Sequence, residues 1–288
     1  MSVGSNPIAS TEVDMRSIET IADSDIIKAS ENCVSAAQAA ESLGINYKTY
    51  KRYATKLGVF RTNQGGKGTS KIKSREHHIN DNCFSELNSE TAYWIGYIAA
   101  DGSVVENKLK FVIAEKDRDQ LERFNAFANS DYNINEHTAS YVYNGNKHYR
   151  KALNMNITSP KIVADLGKYG IIQNKTYIQS DYLKNIPYEY RIDFIIGLFD
   201  GDGSISSLKN KRFNITIATN IASANDIINI LNDLGINCRF KERNNVFGII
   251  YIEDVKSTYL FIAIYLNKYK KYGTMKRKYD IASKALEN

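Results

Sequence analysis

Asp101 and Asp202 are the two residues of this sequence best suited to bind a metal ion together. Each lies before Gly and Ser at the end of a segment with helical spacing of apolar residues, at 90–103 (ETAYWIGYIAADGS) and 191–204 (RIDFIIGLFDGDGS). A single Asp-Gly pair is usually only a turn signal, but two copies in matching segments favour a functional interpretation. If the segments are helices packed side by side, the two carboxylates emerge together and repel each other unless a cation lies between them.

A cation held by two carboxylates would suit the hydrolysis of phosphodiester bonds. Hard oxygen ligands favour Mg²⁺, with Mn²⁺ as the alternative, and Mg²⁺ keeps waters and takes phosphate oxygens as further ligands. Such ions polarise the phosphoryl oxygen, activate the attacking water and stabilise the leaving oxygen. One aspartate per segment matches a duplex that has two strands to cut.

Small residues in the same segments predict a close helix interface. Gly96 and Ala100 are four residues apart, and so are Gly197 and Gly201, so each pair lies on one face of its helix. Small side chains at this spacing allow two helix backbones to approach closely. The glycine after each aspartate is predicted to end its helix in the left-handed conformation.

The two segments begin an internal duplication of roughly a hundred residues. Asp101 and Asp202 are 101 residues apart, and Lys175 and Lys276 show the same offset. Each copy continues with strand-like runs, a second helix and a further hairpin, in an order that fits one domain. The predicted organisation is a loosely ordered or disordered terminus at 1–22, a helical module at 23–60, a basic linker at 61–87, and repeats at 88–186 and 187–288.

Residues 34–58 (VSAAQAAESLGINYKTYKRYATKLG) predict a helix, a tight turn and a second helix. Gly44 is expected to end the first helix and Asn46 to cap the second, with Tyr50 and Tyr53 facing inward. This order resembles a helix-turn-helix motif, whose second helix enters the major groove of DNA, and an ordinary helical hairpin is the alternative. The residues suited to phosphates and base edges are Lys48, Thr49, Lys51 and Arg52.

Further basic residues extend the candidate DNA surface. Arg239, Lys241 and Arg243 follow a period of two, which places three cations on one face of a predicted strand. The Asn144-Gly145 pair predicts a hairpin in the first repeat. The remaining predicted contacts are Lys67, Lys71 and Lys73 in residues 61–75, the flexible and acid-free part of the linker, and Lys108, Lys110, Lys209 and Lys211 in the strand-like runs.

The composition is that of a globular protein with a basic surplus. The formal charge of +6 and the pI of 8.9 fit a nucleic-acid partner. Three separated cysteines without a CxxC pair indicate neither a zinc site nor a disulfide framework. We find neither a secretory signal nor an apolar run of membrane-spanning length, so the protein is expected in the cytoplasm or in the organelle that encodes it, and not to be secreted.

WIGYIAADG at 94–102 and IIGLFDGDG at 195–203 resemble the two signature helices of the LAGLIDADG homing endonucleases, over about residues 88–288. The first motif has Ala99 where the second has Asp200, a position that is usually structural in the family. The resemblance implies metal binding by four residues: the essential catalytic carboxylates of Asp101 and Asp202, and the backbone carbonyls of Ala100 and Gly201.

The resemblance also implies a lysine beside the metals near the end of each repeat. Lys175 in QNKTY and Lys276 in MKRKY take those positions. A cation there stabilises developing charge or helps to activate water. Glu115 and Thr219, which end matching strands, are expected near another pocket-lining position.

The resemblance and the duplication together predict an α+β fold. It consists of two pseudo-symmetric αββαββα domains with saddle-shaped antiparallel sheets that share one helix interface, after a small all-α module. The predicted function is a metal-dependent endonuclease that cuts both strands of a long, asymmetric DNA target and thereby spreads an intron, an intein or a free-standing gene. One chain supplies both halves, so a monomer without a protein partner is expected to act on double-stranded DNA. The alternatives are a transcriptional regulator without chemistry and an RNA maturase that assists intron splicing.

Overall fold

The computed structural model describes residues 21–33, 35–60, 76–143, 145–208 and 212–286. The chain divides into two compact units, Met1–Glu76 and His77–Asn288. No helix in these described ranges combines the length and the apolar character needed to cross a membrane. Most of the predicted N-terminal segment and most of the predicted linker lie outside the described residues, including Lys67, Lys71 and Lys73.

The described residues of the first unit form three helices, α1 (Asp23–Asn32), α2 (Ala36–Ser42) and α3 (Tyr47–Lys56). Alanines make up much of their shared core and let the short helices pack closely. Its buried side chains are Ile26, Ala29, Ala39, Ala40, Ile45, Tyr50 and Ala54.

The predicted succession of helix, turn and helix is confirmed for α2 and α3. Gly44 follows α2 with a φ of 65°, a left-handed conformation that glycine adopts without strain. The Asn46 side chain accepts a hydrogen bond from the backbone N–H of Thr49 at 2.8 Å and thereby caps α3. Tyr50 is buried and Tyr53 is half-buried, so both face inward as predicted.

The second unit contains two copies of one order of elements. The first copy comprises α4 (Ser89–Asp101), β1 (Gly102–Val105), β2 (Lys108–Ala114), a 3₁₀ turn (Glu115–Asp117), α5 (Arg118–Phe127), β3 (Asn135–Tyr143), β4 (Asn146–Thr158), α6 (Pro160–Gly167) and α7 (Lys175–Ile178). The second comprises α8 (Tyr188–Asp202), β5 (Gly203–Ser207), β6 (Phe213–Asn220), α9 (Ile221–Asp233), β7 (Arg239–Glu242), β8 (Phe247–Ile252), α10 (Val255–Tyr272) and α11 (Lys276–Leu286). Both copies follow the predicted αββαββα order, and each adds one helix, α7 or α11, after it.

Each copy forms one antiparallel sheet of four strands. The strand orders are β1-β2-β4-β3 and β5-β6-β8-β7, which are equivalent and confirm the predicted α+β fold. The predicted hairpin joins β3 to β4 and closes at the pair Tyr143 and Asn146. Gly145 has a φ of 76° in its turn, and Asn144 lies outside the described residues. The saddle curvature of the sheets stays a prediction.

Strand alternation gives each sheet a buried face and an open face. Leu109, Phe111 and Ile113 of β2 are buried, and the residues between them are exposed or half-buried. β6 shows the same alternation. α6 packs on β2, while α9 and α10 pack on β6. The helices therefore cover one side of each sheet and leave the other side accessible.

α4 and α8 pack together at the centre of the second unit. Residues 91–99 of α4 and 193–200 of α8 are all buried. A helix buried all round has little amphipathic character, because every side has to face protein. Trp94 lies edge-on to Tyr93 and to Phe124, with ring centroids 5.2 Å apart in both pairs. The two copies share one hydrophobic core around this helix pair.

Candidate metal centre and nucleic-acid interface

The interface between α4 and α8 is built on glycines, as predicted. A Cβ on Gly96 would lie 2.0 Å from the carbonyl oxygen of Phe194, and one on Gly197 would lie 1.9 Å from the carbonyl oxygen of Tyr93. No side chain fits at such distances. Glycine is therefore required at both positions for the two helix backbones to be in contact.

The same close approach continues to the last turn of each helix. A Cβ on Gly201 would lie 2.3 Å from the Cβ of Ala100 and 3.4 Å from the Cγ of Asp101. The absence of a side chain at Gly201 thus brings the end of α8 against the carboxyl group of Asp101. All four predicted interface residues lie in this contact.

Asp101 and Asp202 are the last residues of α4 and α8. Burial raises the pKa of Asp101 to about 6, and the charge of Asp202 acts in the same direction. Burial also raises the pKa of Asp202, while Lys175 and Lys278 oppose that rise. Asp101 is half-buried, and Asp202 keeps access to solvent although the surrounding protein limits its hydration. Both residues lie at the same end of the packed helix pair, where Gly201 approaches Asp101.

The glycines after the aspartates end the helices without the predicted left-handed conformation. Gly102 has a φ of -85° and Gly203 a φ of -98°, both with extended ψ. That prediction is wrong because β1 and β5 begin directly after the helices and need extended backbone. Glycine is required here for space, since a Cβ would lie 2.8 Å from the carbonyl oxygen of Ile98 in one copy and 2.5 Å from that of Phe199 in the other.

Lys175 lies beside the paired carboxylates, as predicted. Its side chain is buried at the start of α7, and Nζ donates a hydrogen bond to the carbonyl oxygen of Gly102 at 2.6 Å. Burial lowers the pKa of Lys175, and the charges of Asp202 and Asp101 act against that shift. The ammonium group is thus held at the junction between α4 and β1.

Lys278 takes the corresponding place in the second copy. Its Nζ donates hydrogen bonds to the carbonyl oxygens of Phe199, of Asp200 at 2.8 Å and of Gly203 at 2.7 Å. Burial lowers the pKa of Lys278 to about 8. Because Gly203 is the counterpart of Gly102, Lys278 is the counterpart of Lys175.

The prediction that Lys276 lies in this pocket is therefore wrong. Lys276 is exposed, and its Nζ lies 2.5 Å from a carboxylate oxygen of Asp280. The sequence separation from lysine to glycine is 75 residues in the second copy and 73 in the first. The motif helices of the two copies are 101 residues apart, but the two pocket lysines are 103 residues apart, because the second copy is two residues longer between its motif glycine and its lysine.

Asp200, which has no counterpart in the first motif, anchors the start of α11. Its carboxylate accepts hydrogen bonds from the Tyr93 hydroxyl at 2.8 Å, the Tyr265 hydroxyl at 2.8 Å and the backbone N–H of Met275 at 2.7 Å. Asp200 is fully buried, and burial raises its pKa against the opposing charge of Lys278. This position is structural, as expected.

A cavity of 220 Å³ opens beside Asp202. Lys175, Tyr182, Thr219 and Phe247 contribute to its lining. The Thr219 hydroxyl is buried and has no hydrogen-bond partner in the protein, so it is suited to a water or a ligand inside the cavity. Thr219 thus lies in the expected pocket.

Asp117 is the carboxylate in this region that the sequence reasoning missed. It is 7% exposed and accepts a hydrogen bond from Nε of Arg277 at 3.0 Å. Its charge raises the pKa of Asp101. Glu115, the residue expected near the pocket, instead lies at the surface, 3.4 Å from Lys151. No spacing signal in the sequence marks Asp117, because its ion-pair partner Arg277 lies 160 residues later in the chain.

The two carboxylates fit a divalent cation that keeps part of its own hydration. In the described part of the chain, no group of three or more His, Cys, Asp or Glu residues is placed to hold a metal ion. Mg²⁺ is commonly bound through one or two carboxylates, with waters and phosphate oxygens as the other ligands. The unpartnered Thr219 hydroxyl suits such a water. Coordination by the carbonyls of Ala100 and Gly201 stays a prediction.

A family comparison identifies the second copy. Residues 189–265 match the family model described as a LAGLIDADG-like domain. This chain contains a LAGLIDADG-like domain. The matched residues include Gly197, Gly201 and Asp202 and all four strands of the second sheet. No curated protein matches the sequence.

Three solved structures illustrate the structural likeness. The homing endonuclease I-WcaI bound to its DNA recognition sequence is 18% identical, with 68% of this chain and 90% of that chain covered and a TM-score of 0.42. The meganuclease I-SmaMI bound to uncleaveable DNA is 15% identical, with coverages of 67% and 91% and a TM-score of 0.42. Full-length DUF199/WhiA from Thermatoga maritima is 11% identical, with coverages of 72% and 64% and a TM-score of 0.40.

The open face of the LAGLIDADG-like domain carries two of the three predicted strand cations, because β7 ends at Glu242, before Arg243. Arg239 and Lys241 lie on that face, opposite Tyr251 and Ile249, while Phe240 between them packs towards the core. The Arg239 guanidinium lies 4.1 Å from the Tyr251 ring centroid, and its Nε is 2.7 Å from Glu253. Arg243 follows β7 and donates a hydrogen bond to the Tyr251 hydroxyl.

The open face of the first sheet is also polar and basic. Lys108 and Lys110 lie on it, opposite Thr158 and Asn156 of β4. Lys108 is exposed and Lys110 is half-buried. The corresponding predictions for the second sheet, Lys209 and Lys211, lie outside the described residues.

The predicted contact residues of α3 lie at the surface of the first unit. Lys48, Lys51 and Arg52 are exposed and Thr49 is half-buried. Lys51 and Arg52 pack beside the rings of Phe60 and Tyr53, at 5.7 Å and 4.9 Å from the centroids. DNA binding by these residues stays a prediction.

Proposed function

We propose that this protein is a site-specific homing endonuclease that cuts both strands of a long, asymmetric DNA target in a metal-dependent reaction. The observation that carries the proposal is the position of Asp101 and Asp202. They end two helices in backbone contact, and each lies immediately before the first strand of an open-faced sheet. The protein would act in the cytoplasm or in the organelle that encodes it.

Asp101 and Asp202 would hold Mg²⁺ or Mn²⁺. The bound ion would supply Lewis-acid activation of the phosphate and of the attacking water. Burial raises the pKa of both carboxyl groups, and the charge of Asp202 adds to the rise at Asp101. A bound cation would favour the ionised form of both groups. Lys175 and Lys278 place two ammonium groups near these carboxylates, where they favour the binding of a phosphate.

Two unequal sheets in one chain support an asymmetric target and a monomeric enzyme. Lys108 and Lys110 on the first open face differ in position and type from Arg239 and Lys241 on the second. Side chains on strands read base edges in the major groove, so different side chains favour different half-sites. We propose that the helix-turn-helix arrangement of α2 and α3 adds a further DNA contact through Lys48, Lys51 and Arg52.

A library of long DNA duplexes incubated with the protein and Mg²⁺ tests the proposal. We expect linear products from a defined site, and we expect Asp202→Asn to remove cleavage while DNA binding persists. Glu122→Gln, which neutralises an exposed carboxylate on α5, is the matched control and should cut normally. Salt-sensitive DNA binding without cleavage by the wild type would instead support the regulator, and preference for folded intron RNA would support the maturase.

A further inference from the structure

The β3–β4 hairpin of the first copy extends well beyond its sheet. β4 pairs with the central strand β2 only over residues 152–158. Its residues 146–151 pair only with residues 138–143 of β3, in six consecutive pairs. We call these two segments the arm. At about 3.3 Å per residue, the arm extends roughly 20 Å from the sheet.

The second copy has no such extension in its described residues. All four residues of β7 pair with residues 248–251 of β8, and each of those also pairs with β6. The hairpin of the second copy therefore ends with its sheet. The arm is a difference between two otherwise equivalent halves.

The hydrophobic core does not support the arm. Ala152 and Leu153 are the last buried residues of β4 towards the hairpin, and every residue from 146 to 151 is exposed. Tyr149 is 65% exposed and Val142 is 72% exposed. A two-stranded ribbon alone is at best marginally stable in water, so an arm of this length with large exposed side chains suits a surface that a partner covers.

The charge of the arm indicates a polyanion. Residues 138–151 contain Lys147, Arg150 and Lys151 and no acidic residue, and of these Lys151 lies 3.4 Å from Glu115 at the base of the arm. Lys147 lies 5.5 Å from the Tyr149 ring centroid, so a cation and an aromatic ring are presented together. By strand alternation, Arg150 continues the row of Asn154 and Asn156 on the open face of the first sheet.

We propose that the arm binds duplex DNA beyond the part covered by the sheets, and that it does so on one side of the target only. A two-stranded ribbon fits the major groove of B-form DNA, which is about 12 Å wide. At about 3.4 Å per base pair, the arm covers roughly six base pairs. This inference rests on the proposed DNA binding and adds that the half-site bound by the first copy is longer.

Hydroxyl-radical footprinting tests the inference, with the full chain in EDTA and a duplex selected from the library. The variant lacks residues 140–143 and 146–149 and keeps the Asn144-Gly145 turn. Four pairs are removed without a change of register, and the core is untouched. We expect the protected region to shorten by about four base pairs at one end, with the other end unchanged.

Two full-length variants accompany the deletion. Lys147→Gln should reduce the slope of log affinity against log salt by about 0.9, the loss of one phosphate contact, and an unchanged slope would contradict the contact between the arm and DNA. Lys256→Gln removes an exposed cation from α10, on the helical side, and should leave both footprint and slope unchanged.

Protection of unchanged length in the deletion variant would overturn the inference while leaving the proposed DNA binding intact. Shortening at both ends would also overturn it. An RNA duplex of the same sequence should compete poorly because its major groove is deep and narrow, and equal competition would contradict a major-groove arm. If the full chain protects no DNA at all, the proposed DNA binding fails and the arm inference fails with it.

Discussion

Gly96 and Gly197 occupy equivalent positions in α4 and α8, and each lies against a backbone carbonyl of the other helix. The contact is reciprocal: Gly96 faces Phe194, and Gly197 faces Tyr93. A single added methyl group at either glycine therefore meets backbone atoms, which move only with the helix. This relationship sets the distance between the two aspartates.

Gly197→Ala should separate the helices and destabilise the protein by about 3 kcal/mol or more, since overpacking against backbone is hard to relieve. The rate of DNA cleavage should fall as well, because the separation of the helices moves Asp101 and Asp202 apart. Denaturant unfolding and a cleavage assay measure both effects. Gly167→Ala is the control: a Cβ there would meet only the Ile172 side chain, at 4.0 Å, so stability should stay equal or rise slightly. A Gly197→Ala protein as stable as the wild type would contradict the close interface.

Asp101→Asn should stabilise the protein in metal-free buffer at pH 7.5 while abolishing cleavage. The pKa of Asp101 in the folded state, about 6, lies above its ordinary value of 3.8, so ionisation costs the folded state stability above pH 6. One pKa unit corresponds to about 1.4 kcal/mol, and screening at this half-buried group leaves an expected gain of about 1–2 kcal/mol.

At low pH the stability gain expected for Asp101→Asn disappears but does not change sign. As the pH falls from 6 to 4, the wild type becomes protonated at Asp101 and the difference between the two proteins should shrink towards zero. Urea unfolding at pH 7.5 and pH 4.5 in EDTA provides the measurement. Glu122→Gln should show no comparable gain, and lower stability of Asp101→Asn at pH 7.5 would contradict the raised pKa of Asp101 in the folded state.

Lys278→Met should destabilise the protein by about 2–4 kcal/mol, because three carbonyl oxygens at the end of α8 lose their donor. Lys276→Met should leave the melting temperature unchanged, since Lys276 is exposed and pairs only locally with Asp280. Thermal unfolding of the two variants distinguishes the positions directly. The opposite order of effects would restore Lys276 as the pocket lysine.

Lys241→Gln should weaken DNA binding in proportion to the loss of one phosphate contact. The slope of log affinity against log salt should fall in magnitude by about 0.9, with little change in stability because Lys241 is exposed. Arg239→Gln should have the smaller effect, since Glu253 already neutralises much of the Arg239 charge. Binding titrations at several salt concentrations measure these slopes, with Lys256→Gln as the control. Equal slopes for the wild type and the three variants would show that the second sheet does not contact DNA.

The parts of the site that the sequence predicted are those set by local spacing. Gly96 and Gly197 follow from helical periodicity, and the alternation of Arg239 with Phe240 follows from strand periodicity. Each of these periodic signals lies within a single helix or strand. The order of helices and strands was predicted from the repetition of such signals in the two copies.

The parts that were missed depend on contacts between distant segments. Lys278 reaches Gly203 across a 75-residue separation, and the path of the chain after α10 decides which lysine arrives. Asp117 is held by Arg277, 160 residues later in the chain. Neither pairing leaves a periodic signal, so spacing alone assigned Lys276 and Glu115 instead.

The hydrogen bond between Tyr93 and Asp200 has a consequence for the history of the duplication. A dimer of the first half alone would offer Ala99 in place of the acceptor, and a dimer of the second half alone would offer Phe194 in place of the hydroxyl donor. Neither half can therefore rebuild this bond with a copy of itself. This hydrogen bond therefore favours the pairing of the first half with the second over the pairing of either half with a copy of itself.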